Sequence, residues 1–359
     1  MNVLIAGGGT GGHLIPALAL ADALVALRPD VQPVLIGAER GIEGTLLPER
    51  IPAYPFHLLP VEPLYRRRWW RNARWLWTGP RLLGRCRRLL RDLDPAVAIG
   101  TGGYAAGPML FLAARRGVPL VLQEQNAWPG ITTRRLARRA RQIHLGFPEA
   151  RKHLTVGPGT EVFAEGNPIV PPSPLPVPGE RRANHGPVVF VMGGSQGAAA
   201  INEALAGAID AGWFDHVGLR WATGHRDYER YRRYHRSPDR LVRAYWSPVE
   251  EVYRESTLVV ARAGAMTTAE LAAWGLPSIL VPLPTAAADH QSVNARALAA
   301  SGAAVHLPQS RLTPERLANE IRRLLDDAAA RDRMVRAALE RGRPDAAREI
   351  AARITELLR

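Results

Sequence analysis

The sequence has little cysteine, little lysine and no long apolar run. Cys86 is the only cysteine among 359 residues, which excludes an internal disulfide framework and a cysteine-based zinc site and fits a reducing compartment. No run approaches the roughly 20 apolar residues that a helix needs to cross a bilayer. The start, MNVLIAGGGTGG, lacks the basic and apolar regions of a signal peptide. We therefore expect a protein that does not span a membrane.

The charge has one dominant sign, and it is concentrated in one segment. The formal net charge is +14, and Lys152 is the only lysine, so arginine carries almost all of the excess. Residues 64–91 hold ten arginines and no acidic residue. A local basic segment of this kind indicates an anionic partner: nucleic acid, an acidic membrane surface or a phosphorylated substrate.

Glycine loops between apolar runs and helical patterns predict two α/β domains. Residues 2–6 form an apolar run, 7–12 a glycine loop and 16–27 a helical pattern, and the same order recurs at 188–211 and at 258–274. This alternation is typical of parallel sheets with crossover helices, and the glycines let N–H groups approach an anion. The proline-rich stretch 171–187 predicts an interdomain linker.

The first loop also matches a dinucleotide fingerprint, but only in part. Gly7, Gly9 and Gly12 have the spacing G-x-G-x-x-G. A nicotinamide site also needs an acidic residue at the end of the next strand, and Glu39 lies only in the following loop. The loops therefore suit a phosphate or sugar ligand better than a nicotinamide dinucleotide.

Seven segments, in order along nearly the whole chain, resemble the peptidoglycan N-acetylglucosaminyltransferase family, which converts lipid I to lipid II. They read GGGTGGHLIPALALA, GTGGYAAGP, EQNAWPGITTRRLA, GNP, GGSQGAAAINEAL, ARAGAMTTAELAAWGLPSILVPLP and DHQSVNARAL. The resemblance implies an α/β GT-B fold, with two Rossmann-like doubly wound domains facing across a cleft. It assigns acceptor binding and membrane association to residues 1–165, with a C-terminal helix at about 340–359 packing back, and UDP-sugar donor binding to residues 166–339.

The same resemblance implies the reaction. An inverting transfer would move N-acetylglucosamine from UDP-N-acetylglucosamine to the 4-hydroxyl of the muramyl sugar of lipid I (undecaprenyl-pyrophosphoryl-MurNAc-pentapeptide). The implied place is the cytoplasmic side of the bacterial inner membrane, where the chain would be peripheral. UDP-N-acetylglucosamine, lipid I and an anionic membrane surface are the expected partners, and nucleic acid is not.

Most candidate donor residues lie in the second half. Ser195 follows the second glycine loop, where a plain helix cap is the alternative role. We place Glu270 in the first turn of a helix at 268–274, where an acid stabilises the helix dipole without any ligand; the resemblance gives it the ribose hydroxyls. It also implies donor contacts by a further set of residues: Thr10, Gly11, Gly12, Asn126, Trp246, Ala265, Met266, Thr267, Thr268, Ala269, His290 and Gln291.

His13 is the candidate general base, because imidazole titrates near neutrality and could accept the proton of a sugar hydroxyl. From the residues alone, capping of the following helix is an equal alternative. The resemblance implies acceptor contacts by Tyr104 and Glu124. This sequence departs from the family pattern at two places. Ile169-Val170-Pro171 follows GNP where the family commonly has arginine, and Gln123 stands before EQN where the family often has histidine.

We predict no protein metal site and no required cofactor, which leaves room for a free divalent cation. Metal-dependent transferases often use an Asp-x-Asp pair, and Asp92-Leu-Asp94 has that spacing. However, it stands just before Pro95 and a strand, where a solvated helix end is the expected role. Backbone N–H groups at helix starts can stabilise a diphosphate instead.

The basic segment 64–91 is also rich in tryptophan, and Trp69, Trp70, Leu76 and Trp77 share one face of a predicted helix. Tryptophan beside arginine suits the headgroup zone of an anionic bilayer. Two alternatives are a helix packed on its own domain and a surface that binds single-stranded nucleic acid. Rival functions for the chain are another GT-B transferase acting on a sterol, macrolide or lipid, and a nonenzymatic binding protein.

Overall fold

The computed structural model describes residues 1–8, 11–39, 54–61, 75–104, 106–175, 186–194, 197–215 and 217–358, with the backbone alone for 75–77. The chain divides into two compact units. The N-terminal unit comprises Met1–Val170 together with Asp345–Arg359, and the C-terminal unit comprises Pro171–Pro344. The boundaries expected from the sequence, 166 and 340, each lie a few residues earlier.

A parallel sheet forms the centre of the N-terminal unit. The described residues contain the strands β1 Asn2–Gly7, β2 Gln32–Ala38, β3 Phe56–Leu59, β4 Val97–Gly102, β5 Leu120–Glu124, β6 Gln142–Leu145 and β7 Glu161–Phe163. All neighbours pair in parallel, in the order β3-β2-β1-β4-β5-β6-β7. The α-helices that the described residues contain up to residue 170 are α1 Gly11–Leu27, α2 Trp75–Leu93, α3 Ala106–Arg115 and α4 Ile131–Leu136.

The first helix begins earlier than the sequence suggests. The apolar pattern predicts a helix from residue 16, whereas α1 starts at Gly11 and contains Pro16. The prediction of its start was wrong because it placed Pro16 in the first turn, where proline is favoured, whereas five helical residues precede Pro16. As a result, His13 lies in the first turn of α1.

This sheet is buried on both faces, and β1 shows the two-residue alternation that such burial requires. Leu4 and Ala6 pack in one core cluster with side chains of α2 and α3. Val3 and Ile5 pack in another with the apolar face of α1. Continuous apolar strands with helices on both sides are the doubly wound arrangement that the glycine-loop pattern predicts.

The C-terminal unit repeats this architecture. Its described strands are β8 Val188–Met192, β9 Gly218–Ala222, β10 Arg240–Arg243, β11 Leu258–Ala261, β12 Ser278–Leu280 and β13 Ala304–His306. They pair in parallel in the order β10-β9-β8-β11-β12-β13. Its described α-helices are α5 Ala199–Asp210, α6 Tyr228–Tyr231, α7 Glu250–Glu255, α8 Ala265–Ala273, α9 His290–Ala300, α10 Pro314–Asp326 and α11 Ala328–Arg341.

A buried aromatic and amide group holds one side of the second sheet. Trp221 is fully buried, with its ring centroid 5.0 Å from that of Tyr231. Its Nε1 donates a hydrogen bond to Asn202 Oδ1 at 2.9 Å, and Asn202 Nδ2 donates to the Thr223 carbonyl oxygen at 2.9 Å. Because both the oxygen and the nitrogen of the Asn202 amide have partners, Asn202 can fix α5 on β9 at little desolvation cost.

The last helix, α12 Ala346–Thr355, belongs to the N-terminal unit. Ile350 and Ile354 are fully buried in the same cluster as α1. A polar anchor lies beside them: Glu165 Oε2 is 2.6 Å from His144 Nδ1, and Glu165 also accepts a hydrogen bond from Arg353 Nε of α12. Burial raises the pKa of Glu165, but the hydrogen bonds and charges of His144 and Arg353 outweigh it, so the pKa is lowered overall.

Glu165→Gln should destabilise the protein, and the effect should depend on pH. We expect a loss of about 1–2 kcal/mol in the free energy of unfolding near pH 7, because a charge-assisted hydrogen-bond acceptor is removed. A carboxylate with a lowered pKa stabilises the fold above its ordinary pKa of 4.5, and this contribution disappears as pH falls through the lowered value. Urea unfolding at a series of pH values measures the difference. Exposed Glu161→Gln on β7 is the control, and an equal loss there, or one that persists in acid, would contradict this account.

Candidate active site

Each sheet has a point where its chain connections diverge. In the first sheet the chain leaves β1 toward β2 and leaves the adjacent β4 toward β5; in the second it leaves β8 toward β9 and leaves the adjacent β11 toward β12. At such switch points a crevice opens at the carboxyl ends of the strands, and ligands of doubly wound folds bind there. Each unit therefore has its own candidate crevice.

His13 lies at the crevice of the N-terminal unit. Its Nδ1 is 2.9 Å from the carbonyl oxygen of Thr101, at the end of β4, and 3.1 Å from Gln125 Oε1. A carbonyl oxygen can only accept, so Nδ1 carries the ring proton. The neutral ring then has its lone pair on Nε2, which is the form that a general base requires.

Two glycines of the segment 100–104 let the end of β4 come close to His13. Gly102 has φ +95°, and a Cβ at this position would lie 2.8 Å from His13 Nδ1. Gly103 has φ +83°, and a Cβ there would lie 2.0 Å from the carbonyl oxygen of Gly8. Both positions need left-handed backbone and the absence of a side chain. Close packing therefore requires the two glycines of the GTGGY segment, which is also one of the family motifs.

Glu124 organises the loop that carries Asn126. It is buried at the end of β5; its Oε1 accepts a hydrogen bond from the backbone N–H of Asn126 at 3.1 Å, and its Oε2 accepts from that of Gly130 at 2.9 Å. Tyr104 is half-buried and packs against the core on the α2 and α3 side. The sugar contacts expected of these three side chains stay predictions.

The start of α8 is the candidate anion site of the C-terminal unit. Gly264 precedes the helix in an extended conformation, and the hydrogen bond from Thr268 N–H to its carbonyl oxygen, 2.9 Å, closes the first turn. The N–H groups of Ala265, Met266 and Thr267 come before this bond, at the positive end of the helix dipole. Gly11 and Gly12 are the first two residues of α1 in the N-terminal unit.

Glu270 lies in the second turn of α8, which corrects the sequence prediction. The helix begins at Ala265 and not at Thr268, because residues 265–267 extend the helix toward its N-terminus without the apolar periodicity that the prediction used. Stabilisation by the helix dipole falls off within the first turn. The helix-dipole role considered for Glu270 therefore loses its basis. Ala269 lies beside Glu270 in α8.

Tyr253 of α7 holds Glu270, and sequence reasoning missed it. The fully buried Tyr253 donates its hydroxyl proton to Glu270 Oε2 at 3.0 Å. Burial raises the pKa of Glu270 to about 7, and the charge of Glu250 adds to the rise, although the hydrogen bond from Tyr253 opposes it. A carboxyl group poised near neutrality gains from any ligand that donates hydrogen bonds to its ionised form.

Trp246 and the start of α9 lie near the same edge of the second sheet. Trp246 is buried, and its ring meets Phe190 of β8 edge-on at 5.7 Å. Gln291 Oε1 accepts a hydrogen bond from Leu283 N–H at 2.9 Å, and His290 Nδ1 donates to the Ala287 carbonyl oxygen at 2.7 Å. These bonds shape the segment after β12, whereas the donor contacts of Trp246, His290 and Gln291 stay predictions.

Arg262 was not singled out by the sequence. Its Nη1 donates to the carbonyl oxygens of Val281 and Pro282, at 3.1 and 3.0 Å. Burial lowers its pKa to about 10. This partly desolvated cation therefore ties the end of β11 to the segment after β12.

The Asp-x-Asp pair lies at the opposite edge of the first sheet. Asp92 is in the last turn of α2 and Asp94 follows it, both before β4 begins at Val97. Within the described ranges, no group of three or more His, Cys, Asp or Glu side chains is arranged to hold a metal ion.

Some predicted site residues lie outside the described residues. These are Thr10, Ser195, Trp69 and Trp70. Leu76 and Trp77 fall within α2, where the backbone alone is described.

Each of the two units matches a known protein-family domain. The model of the glycosyltransferase family 28 N-terminal domain matches residues 3–145, and that of the family 28 C-terminal domain matches residues 188–350. Together these two matches span most of the chain and fall on the two sheets.

Curated relatives match over nearly their whole length. A UDP-N-acetylglucosamine–N-acetylmuramyl-(pentapeptide) pyrophosphoryl-undecaprenol N-acetylglucosamine transferase of Chlorobaculum parvum is 41% identical, over 99% of this chain and 99% of that protein. The transferase of the same name from Salinibacter ruber is 40% identical, over 99% of this chain and 96% of that protein.

Solved structures of glycosyltransferases also match this chain. The crystal structure of MurG from Acinetobacter baumannii matches with a TM-score of 0.77 and 26% identity, over 99% of both chains. The spinosyn rhamnosyltransferase SpnG matches with a TM-score of 0.68 at 19% identity, over 100% of this chain and 99% of that one, and shows the shared fold alone. These matches confirm the predicted fold class. The chain belongs to glycosyltransferase family 28, and within it to the family of UDP-N-acetylglucosamine–N-acetylmuramyl-(pentapeptide) pyrophosphoryl-undecaprenol N-acetylglucosamine transferases.

Proposed function

We propose that this chain transfers N-acetylglucosamine from UDP-N-acetylglucosamine to the 4-hydroxyl of the muramyl sugar of lipid I and so forms lipid II in peptidoglycan synthesis. The names of its full-length relatives support this substrate pair. The observation that carries the chemistry is the bond from His13 Nδ1 to the Thr101 carbonyl oxygen, because it leaves Nε2 free to accept a proton.

In the proposed reaction, the acceptor oxygen forms a bond to C1 of N-acetylglucosamine while the bond from C1 to the diphosphate oxygen breaks. His13 Nε2 takes the hydroxyl proton, and UDP leaves with the electron pair of the broken bond. Attack opposite the leaving group inverts the configuration at C1. A positioned base of this kind contributes about 10²- to 10⁴-fold to the rate.

The donor would be held by the C-terminal unit. Glu270 accepts hydrogen bonds from the ribose hydroxyls, and the N–H groups at the start of α8 stabilise the diphosphate, together with Ser195. The Asp92 and Asp94 pair lies at the far edge of the first sheet, so we assign it no part in holding a metal. We propose that the protein itself needs no cofactor, while a free divalent cation can accompany the diphosphate.

Donor binding should depend on the ionisation of Glu270. Both phosphates of UDP-N-acetylglucosamine are esterified and stay ionised, so the ligand does not titrate near neutrality. A carboxyl group with a pKa of about 7 accepts strongly on both of its oxygens only after it has lost its proton. Since raising the pH through 7 ionises Glu270, the affinity should be about tenfold higher near pH 8 than near pH 6, with proton release on binding.

Titration calorimetry in buffers of different ionisation enthalpy measures both quantities. Glu270→Gln should weaken binding and abolish its pH dependence, whereas Glu251→Gln, an exposed position on α7, should change neither. Unaltered affinity and pH dependence in Glu270→Gln would remove this residue from the donor site.

His13→Gln should lower kcat for transfer of radiolabelled N-acetylglucosamine to lipid I by about 10²- to 10⁴-fold. Glutamine keeps a polar group but accepts no proton. Donor affinity should stay within twofold, because Glu270 and the start of α8, which hold the ribose and the diphosphate, belong to the other unit. His57→Gln, a half-buried histidine of β3, is the matched control and should keep its kcat. Retained turnover in His13→Gln would refute the role of His13.

We also propose peripheral attachment to the cytoplasmic face of an anionic membrane. Phe111 of α3 is exposed, with the guanidinium groups of Arg115 and Arg139 at 5.8 and 5.3 Å from its ring centre. α3 packs against α2, which continues the basic tryptophan segment. An exposed aromatic ring among arginines suits a headgroup layer. No helix in the described part of the chain is long and apolar enough to cross a bilayer.

Phe111→Glu should weaken binding to vesicles with anionic lipid about three- to tenfold, because it replaces inserted apolar surface with a repelled charge. Sedimentation with vesicles measures this partition. Val170→Glu, also at an exposed apolar residue of the N-terminal unit, should have no effect. Equal partition of the two variants, or loss of binding only to an oligonucleotide, would contradict the membrane proposal.

A further inference from the structure

Three buried side-chain amides form a hydrogen-bonded group beside His13 in the N-terminal unit. Gln123 and Gln125 are on and just after β5, and Asn167 follows β7; their exposed fractions are 0%, 2% and 1%. Burying three amides in an apolar core is costly unless each finds partners. Their hydrogen bonds therefore define how the group is arranged.

The hydrogen bonds among the three amides fix the orientation of each amide group. Asn167 Nδ2 donates to the Gln125 carbonyl oxygen at 3.0 Å, and Asn167 Oδ1 accepts from Gln123 Nε2 at 3.0 Å. Gln123 Oε1 in turn accepts from Gln125 Nε2. Each amide thus uses its donor and its acceptor on different partners, which leaves one consistent orientation for the whole group.

This arrangement decides which atom of Gln125 faces His13. Gln125 Nε2 is surrounded by oxygen atoms: besides Gln123 Oε1, it donates to the Thr101 carbonyl oxygen at 2.8 Å and to the Gln123 carbonyl oxygen at 3.2 Å. An inverted amide would place oxygen against oxygen at all of these contacts. Gln125 Oε1 must therefore face His13 Nδ1, 3.1 Å away. An amide does not titrate, so this acceptor keeps its form over the working pH range.

We propose that Gln125 is a positioning residue for the transfer reaction, and that Gln123 and Asn167 hold it in place. With the Thr101 carbonyl oxygen, Gln125 Oε1 gives the Nδ1–H of His13 two acceptors. Rotation of the imidazole by 180° would turn a C–H toward both oxygens and lose both bonds. The ring is thereby kept in the tautomer and orientation that present Nε2. The inference rests on the proposed role of His13 as the base.

Gln125→Met tests this role, since methionine fills a similar volume without an amide. We expect kcat to fall about tenfold with the KM for UDP-N-acetylglucosamine unchanged; tenfold corresponds to about 1.4 kcal/mol, close to the net value of one hydrogen bond. Gln142→Met is the control: Gln142 is 1% exposed on β6 and donates to the Arg353 carbonyl oxygen. It should keep its kcat.

Nitrogen-15 spectra of the histidine rings give a readout that a purely structural role would not move. The resonances of His13, assigned by their loss in His13→Gln, should show protonated Nδ1 and bare Nε2 in the wild type and a mixture in Gln125→Met. Unchanged tautomer signals in Gln125→Met, with or without a fall in kcat, would overturn the inference. Retained turnover in His13→Gln would instead refute the base itself, so the two failures are distinguishable.

Discussion

Parallel strand pairing is the constraint on which the rest of this structure depends. It brings the carboxyl ends of all strands in a sheet to one edge, so that segments far apart in the chain meet there. His13 and Thr101 are 88 residues apart, yet their hydrogen bond forms because β1 and β4 are neighbours. Glycine at 102 and 103 then lets the two backbones come close enough for the bond.

The two units set the states of His13 and Glu270 in different ways. The N-terminal unit surrounds His13 with neutral acceptors, a backbone carbonyl and a side-chain amide, which select a tautomer without adding charge. The C-terminal unit partly buries the carboxyl group of Glu270 and offers it one hydroxyl donor, Tyr253, so that its pKa lies near 7. The first arrangement suits a group that must accept a proton, and the second suits one that awaits donors from a ligand.

The fold was largely predictable because its signals are local. A glycine loop between an apolar run and a helix occurs in both halves, and the structure confirms parallel sheets in both. Helix starts were less predictable: α1 and α8 begin before their apolar periodicity does, at Gly11 and Ala265. Family motifs named His13 and Glu270, but the roles given to them stay predictions.

The residues that hold these groups could not be read from the sequence. Gln125 lies in the EQN motif but was given no role, and Tyr253 looks like an ordinary member of a helix. The importance of both lies in partners that only the fold supplies. Burial and hydrogen bonding between distant segments decide the rest, as in the anchor of Glu165 with His144 and Arg353.

The central claim is that the nucleotide sugar is held at the start of α8 with its ribose on Glu270. The most direct measurement is a crystal structure of the protein with UDP-N-acetylglucosamine. The account predicts ribose hydroxyl oxygens within hydrogen-bond distance of the Glu270 carboxylate and the diphosphate beside the N–H groups of residues 265–267. A nucleotide bound in any other place, with Glu270 still bonded only to Tyr253, would contradict it.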